Sequence, residues 1–219
     1  LKIPVWWRRA VLPSLPWLVN FLSFFFTTNP QHKTTINVGW GVMHERLKRL
    51  EDDLRHQVLH DDLTGLGSRV QFTQQLHDAI EGPRRNGSKV AALFIDLDDF
   101  ENINDSLGHA AGDQVLVEIS SRLQTRLRLH DRAARFGGDE FAVLLTDVYS
   151  DSDVTLVADR IVQELGQPVE LLGREVHLGV SVGIALDHDG TQTPEELLRA
   201  ADVAMYQAKS SGKGQWAMF

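Results

Sequence analysis

Between residues 134 and 145 the chain reads ARFGGDEFAVLL, two apolar β-forming runs that meet across Gly137 and Gly138, with the carboxylates Asp139 and Glu140 at the join. Paired glycines admit the backbone angles of a tight reversal, so the stretch predicts strand, turn and strand. A short turn pairs its strands antiparallel. That requirement excludes a wholly parallel, doubly wound sheet. It predicts instead an α+β fold whose central sheet is mainly antiparallel and flanked by helices. Phe136 and residues 141–145 are expected to anchor the two strands in a core. Adjacent ionised carboxylates inside a plain buried strand would cost several kcal/mol each. They are therefore expected at the hairpin tip, facing a cation.

The surrounding pattern fits that sheet. Residues 90–95 are a β-rich apolar run ending in acids, and the following stretch turns to helical spacing at Val115, Leu116, Ile119, Leu123 and Leu127. SDVTLVADRIVQELG predicts another helix. In EVHLGVSVGIAL, Val176, Leu178, Val180, Val182 and Ile184 alternate as one strand. TPEELLRAADVAMYQAKSSG predicts a closing helix with Thr193 as N-cap, Pro194 at its first position and Gly212 at its end.

Upstream, Met43, Leu47, Leu50, Leu54 and Val58 form an amphipathic helical stripe over residues 43–59. The stripe predicts either a helix packed on its own domain or a short coiled coil that couples an input to the domain behind it. Residues 1–42 hold Lys2, Arg8, Arg9 and Lys33 and no acid, so all 30 acidic residues lie beyond them. The composition break divides the chain into an apolar, basic leader (1–42), a signalling helix (43–60) and a catalytic domain (61–219). The apolar run at 11–26 is shorter than the roughly 20 residues that span a bilayer, and Pro13, Pro16 and Asn20 interrupt it. Three readings of the leader stay open: the stump of a transmembrane or sensor region, an interfacial anchor, or a leader ahead of an internal start at Met43. The first is preferred, with the catalytic domain in the cytoplasm and a membrane or sensor domain upstream.

Charge and composition narrow the chemistry. The net charge of -8 argues against nucleic-acid binding, which needs a basic footprint. The chain has no cysteine, so thiolate chemistry is excluded. A strand ending in IDLDD beside a GGDE tip gathers Asp96, Asp139 and Glu140, an all-oxygen set that selects Mg2+ or Mn2+. Such ions suit in-line attack at phosphorus. An acidic hairpin tip is also commonly a plain solvated turn.

RFGGDEF (135–141) resembles the signature of the GGDEF family of diguanylate cyclases, and further blocks extend the likeness in order. They are DDLTGLGSR (61–69), FIDLDDF (94–100), NDSLGHAAGD (104–113) and ADVAMYQAKSSGKG (201–214). The resemblance implies a palm-like nucleotidyl cyclase fold that condenses two GTP into cyclic di-GMP, a bacterial second messenger, with two pyrophosphates released. It implies metal ligation by Asp96, Asp139, Glu140 and the carbonyl of Leu97, with Asp139 also the candidate acceptor of the 3′-hydroxyl proton. Asn104 and Asp113 would read guanine, where their plain reading is as turn or cap residues. Gly137 and Gly138 would leave room for the nucleotide, and Lys209 and Lys213 would contact its phosphates. As isolated lysines near a helix end, both would be dipole complements.

RLHD (128–131) stands where the family's product-inhibition site has Arg-x-x-Asp. Arg128 and Asp131 would then hold guanines of cyclic di-GMP, with Arg160 as a further contact; the plain alternative is a surface ion pair. Glu101 departs from the family's usual lysine and inverts the charge expected beside the phosphates. The implied enzyme works as a homodimer, since each domain binds one GTP. The rival reading is a weak or inactive GGDEF module that binds GTP or cyclic di-GMP and regulates a partner domain. The ending GKGQWAMF looks like cyclase domains that precede a phosphodiesterase domain of the EAL type.

Overall fold

The computed structural model describes residues 30–82, 87–171, 173–188 and 190–219, with side chains from residue 43 onward. The chain divides into two units, Leu1–Leu54 and Arg55–Phe219. The amphipathic stripe lies on α1 (Pro30–Leu59), a helix that starts at Pro30, ahead of Met43. Proline presets φ at a helix's first residue, so the helix begins there and not at the composition break. Met43, Leu47, Leu50, Leu54 and Val58 are all exposed. Among the described residues no helix is long and apolar enough to cross a membrane. The anchor or sensor reading of the leader falls largely on residues 1–29, outside the described residues.

The second unit carries β1 (Gly67–Ser68), α2 (Arg69–Glu81), β2 (Lys89–Leu97), α3 (Phe100–Leu107), α4 (His109–Arg126), β3 (Arg132–Gly137) and β4 (Glu140–Val148). There follow α5 (Asp151–Leu165), β5 (Val169–Leu171), β6 (Arg174–Val176), β7 (Val180–Asp187), α6 (Pro194–Ser210) and β8 (Trp216–Met218). The main sheet has the order β1-β3-β4-β2-β7-β8. Its four central strands are antiparallel, as the hairpin required, and the edge strands β1 and β8 pair in parallel.

Helices cover both faces. Ala91, Leu93, Ile95 and Leu97 of β2 join a core with residues of α3, α4 and α5. Val90, Ala92 and Phe94 point the other way into a core with Phe72 and Leu76 of α2 and Leu197, Ala201 and Met205 of α6. A strand buried on both faces must read as a continuous apolar run, which is what residues 90–95 are. Phe136 makes edge contacts with Phe72 and Phe94 at centroid distances of 5.4 and 5.1 Å. Phe141 is fully buried on the opposite face. Burying each such ring contributes roughly 1.5–3 kcal/mol, so the hairpin is held from both sides.

One expectation is corrected. The alternating run from Val176 to Ile184 is not a single strand, because β6 pairs with β5 in a separate two-stranded sheet and the main-sheet strand β7 starts only at Val180. The break falls where Gly179 passes the carboxylate of Asp98: a Cβ there would lie 2.7 Å from Asp98 Oδ2. At the closing helix, Thr193 and Glu196 form the capping box and Pro194 takes the first turn, as expected, but the helix stops at Ser210 with Ser211 as its cap.

Candidate active site

Strand register creates the site. In the β2–β4 pairing Asp96 stands directly opposite Glu140, and the N–H of Leu97 donates to the carbonyl of Asp139 at 3.3 Å. Asp96 and Leu97 are separated in sequence from Asp139 and Glu140 by the whole α3–α4 segment and β3, yet the four meet at one end of the two central strands. Gly137 ends β3 and pairs with Glu140, so the turn itself is Gly138 and Asp139; both glycines are exposed, with Gly138 at φ 52. Glu140 is the first residue of β4, so its backbone belongs to the sheet while Asp139 stays in the turn.

Crowding shows in the titration of these acids. Burial pushes the Asp96 carboxyl up, with the charges of Asp139 and Asp98 adding to it and Lys209 opposing. Burial likewise raises Glu140, followed by the charges of Asp96, Asp139 and Asp202. The Lys209 ammonium of α6 stands 2.6 Å from Asp96 Oδ1 as an ion pair. A buried carboxylate with a second acid opposite it and a third in the adjoining turn fits a hard divalent cation. No cluster of three or more metal-ligating side chains is preassembled among the described residues.

The hairpin turn is fixed from outside by a residue that sequence reasoning passed over. Arg135 donates from Nε and Nη2 to the carbonyl of Gly138 at 3.0 and 2.8 Å, while its Nη1 meets Asp61 Oδ1 at 3.1 Å. Asp61 in turn accepts from the backbone and hydroxyl of Thr64. The available signal was the acid of DDLTG together with the arginine that precedes FGG.

Asn104 sits on α3, with its side chain tight against Gly112 of α4, where a Cβ would collide with Asn104 Oδ1. Asp113 follows Gly112 and is exposed inside α4. It is not the N-cap that its plain reading suggested: the N-cap is Gly108. Asn104 and Asp113 thus flank the packing of α3 on α4.

Lys213 lies in the loop after α6 at φ 60, its ammonium 2.7 Å from Asp99 Oδ1. The two lysines expected at phosphates each hold a carboxylate. Asp98, another residue the sequence did not single out, is buried. It accepts from the hydroxyl of Ser181 at 2.7 Å and from the N–H of Gly214 at 2.9 Å. Glu101 is exposed in the first turn of α3.

The RLHD turn connects α4 to β3. Asp131 Oδ2 accepts from the N–H of Arg128 at 2.8 Å, and the N–H of Asp131 donates to the carbonyl of Arg128 at 3.0 Å. This is a self-capped turn. No ion pair joins the two side chains among the described residues, and Arg160 is exposed on α5 without a hydrogen bond or ion pair to either.

The sequence pattern of the family described as "Diguanylate cyclase, GGDEF domain" matches residues 58–215. Diguanylate cyclase TpbB of Pseudomonas aeruginosa is 45% identical over 170 residues, which cover 76% of this chain and 39% of TpbB. A solved structure of the GGDEF domain of that protein superposes with a TM-score of 0.69 at 44% identity, covering 73% of this chain and 93% of the other. Cyclic di-GMP phosphodiesterase NbdA of the same organism is 35% identical over 214 residues, 97% of this chain and 27% of NbdA. The chain thus spans well under half the length of these curated relatives.

Proposed function

The chain belongs to the GGDEF domain family of diguanylate cyclases, and from that premise we propose that it condenses two molecules of GTP into cyclic di-GMP. In each of two steps a ribose 3′-oxygen bonds to the α-phosphorus of the other nucleotide, the bond from that phosphorus to the β-phosphate bridge breaks, and pyrophosphate leaves. The observation that carries the reading is the meeting of the buried Asp96 with Glu140 across β2 and β4, beside Asp139 in the turn.

A divalent cation, Mg2+ or Mn2+, would be held by Asp96, Asp139, Glu140 and the carbonyl of Leu97; when bound it supplies charge stabilisation at the phosphates. Asp139 lies in the turn and takes the 3′-hydroxyl proton. Asn104 and Asp113 hold guanine, whose N1 and N2 donors suit a carboxylate and whose acceptors suit an amide. Gly137 and Gly138 leave the backbone open to the nucleotide. Lys209 and Lys213 turn to the phosphates once the ligand arrives. Catalysis is then mainly positioning and electrostatics.

Each domain carries one such site, so two copies face each other. The exposed stripe of α1 supports pairing of two chains in register. At the RLHD turn, Arg128 and Asp131, with Arg160 on α5, take cyclic di-GMP as an inhibitor.

A second reading is a GGDEF module with little or no turnover that binds a guanine nucleotide and regulates a partner domain. The exposed acid Glu101 favours it, as does the likeness across nearly the whole chain to a relative named as a phosphodiesterase. The test is incubation of purified protein with GTP and Mg2+, followed by assay of cyclic di-GMP and pyrophosphate. Product that disappears in Asp139→Ala is the expected result. GTP binding without product at high protein concentration selects the regulatory module.

A further inference from the structure

The loop after α6 has an unusual backbone. Gly212, Lys213 and Gly214 all take positive φ, at 132, 60 and 58. For Lys213 this is a conformation that L-residues seldom adopt, and it persists only where surrounding structure over-determines it. A buried contact on this loop comes from the end of β2. Asp98, 4% exposed, accepts from the Gly214 N–H through Oδ2 and from the hydroxyl of Ser181, itself fully buried, through Oδ1. Its own N–H donates to the carbonyl of Gly179 at 2.9 Å. One buried carboxylate therefore fastens the end of β2, the start of β7 and the loop of Lys213 together. On either side of it in sequence stand Leu97, which ends the metal-binding strand, and Asp99, which holds the Lys213 ammonium.

We propose that Asp98 is the positioning residue of the phosphate subsite: by fixing Gly214 it sets the loop that aims Lys213 at the outer phosphates of the nucleotide. The inference rests on the reading of the chain as a GTP-binding cyclase and adds to it the residue on which recognition of the triphosphate depends. Asp98 touches no nucleotide in this scheme. Without its carboxylate the Ser181 hydroxyl and the Gly214 N–H lose their acceptor, and the strained loop keeps only the ties from the Lys213 N–H to the Ala208 carbonyl and from its ammonium to Asp99. The guanine site, on α3 and α4, is untouched.

The test compares binding of GMP and of a non-hydrolysable GTP analogue to wild type, Asp98→Ala and Asp98→Asn by calorimetry with Mg2+ present. Wild type should bind the analogue more tightly than GMP. Asp98→Ala should weaken the analogue about tenfold or more, the scale of a lost charge-assisted hydrogen bond, and leave GMP within about twofold. Asp98→Asn keeps an acceptor for Gly214 and donates to Ser181, so it should recover most of the difference. Equal loss for both ligands in Asp98→Ala would make Asp98 a general packing residue and overturn the proposal, as would unchanged binding of both. If Asp98→Ala does not fold, Gly179→Ala decides, because its Cβ would lie 2.7 Å from Asp98 Oδ2 and displace the carboxylate; selective loss of the analogue supports the proposal and uniform loss overturns it. A wild type that binds neither ligand overturns the cyclase reading itself, a result distinct from either outcome in the variants.

Discussion

Arg135 joins Asp61, at the end of α1, to the hairpin turn. Its Nη1 lies 3.1 Å from Asp61 Oδ1, while Nε and Nη2 clasp the Gly138 carbonyl. The side chain is largely buried. A planar fork of donors can serve a carboxylate and a carbonyl together; an ammonium cannot hold both in that geometry. Any displacement of Asp61 is therefore transmitted to the residue before Asp139.

Arg135→Lys should keep the charge and lose the fork. Pyrophosphate release is expected to fall about tenfold, the effect of losing one well-placed hydrogen bond, while the melting temperature shifts by only a few degrees. Unchanged turnover would mean that the turn is held without Arg135.

Acid should weaken the same link. Burial pushes the Asp61 carboxyl up, but hydrogen bonds from Thr64 and the Arg135 guanidinium outweigh it and hold the group below its ordinary value. A lowered native value contributes stability above the unfolded pKa of about 3.9, lost as pH falls through the native one. Wild type should exceed Asp61→Asn in urea stability at pH 7, and the gap should close below about pH 4. A gap that persists at pH 2 would exclude this assignment.

Gly112→Ala tests the proposed guanine site. The added Cβ would collide with Asn104 Oδ1 and lie 3.1 Å from Phe100 Cζ. Asn104 must turn away, so GTP affinity should drop about tenfold by titration. Full affinity would remove Asn104 from the guanine site.

Arg128→Ala should leave initial turnover intact and raise the inhibition constant for cyclic di-GMP at least tenfold. Asp131 already caps its own turn through the Arg128 N–H, so Asp131→Ala is expected to loosen the turn as well as the inhibition. Inhibition that survives in Arg128→Ala would leave RLHD as a surface turn.

Glu101→Lys should raise turnover several-fold by replacing an exposed acid with a cation beside the phosphates. It should also lower stability by roughly 0.3–1 kcal/mol, because an acid in the first turn complements the helix dipole of α3. Steady-state kinetics and thermal melting read the two effects separately. Unaltered kinetics would place this side chain away from the nucleotide.

Much of the fold was legible because it is written in local pattern. The glycine pair forced a hairpin, apolar period gave α4, α5 and α6, and Thr193 with Pro194 marked a helix start. The meeting of Asp96 with the acids of the hairpin was legible too, since a strand that ends in acids beside an acidic hairpin tip brings them together. The break between Val176 and Val180 was not, because alternation records which side chains are buried and not which sheet buries them.

What the sequence determined by itself is the hairpin, the strand at 90–95, the helices α4, α5 and α6, the antiparallel centre of the sheet and the acids at the ends of its strands, for these follow from the period of apolar residues and from the glycines of the turn. The tertiary structure alone decided that Arg135 spans Asp61 and Gly138, that Lys209 stands on Asp96, and that Asp98 holds Gly214. These contacts join groups far apart along the chain, Arg135 with Asp61, Lys209 with Asp96 and Gly214 with Asp98, through a few polar atoms. Such a contact leaves no periodicity behind; it exists only once strand register and helix packing have brought its two ends within hydrogen-bonding distance.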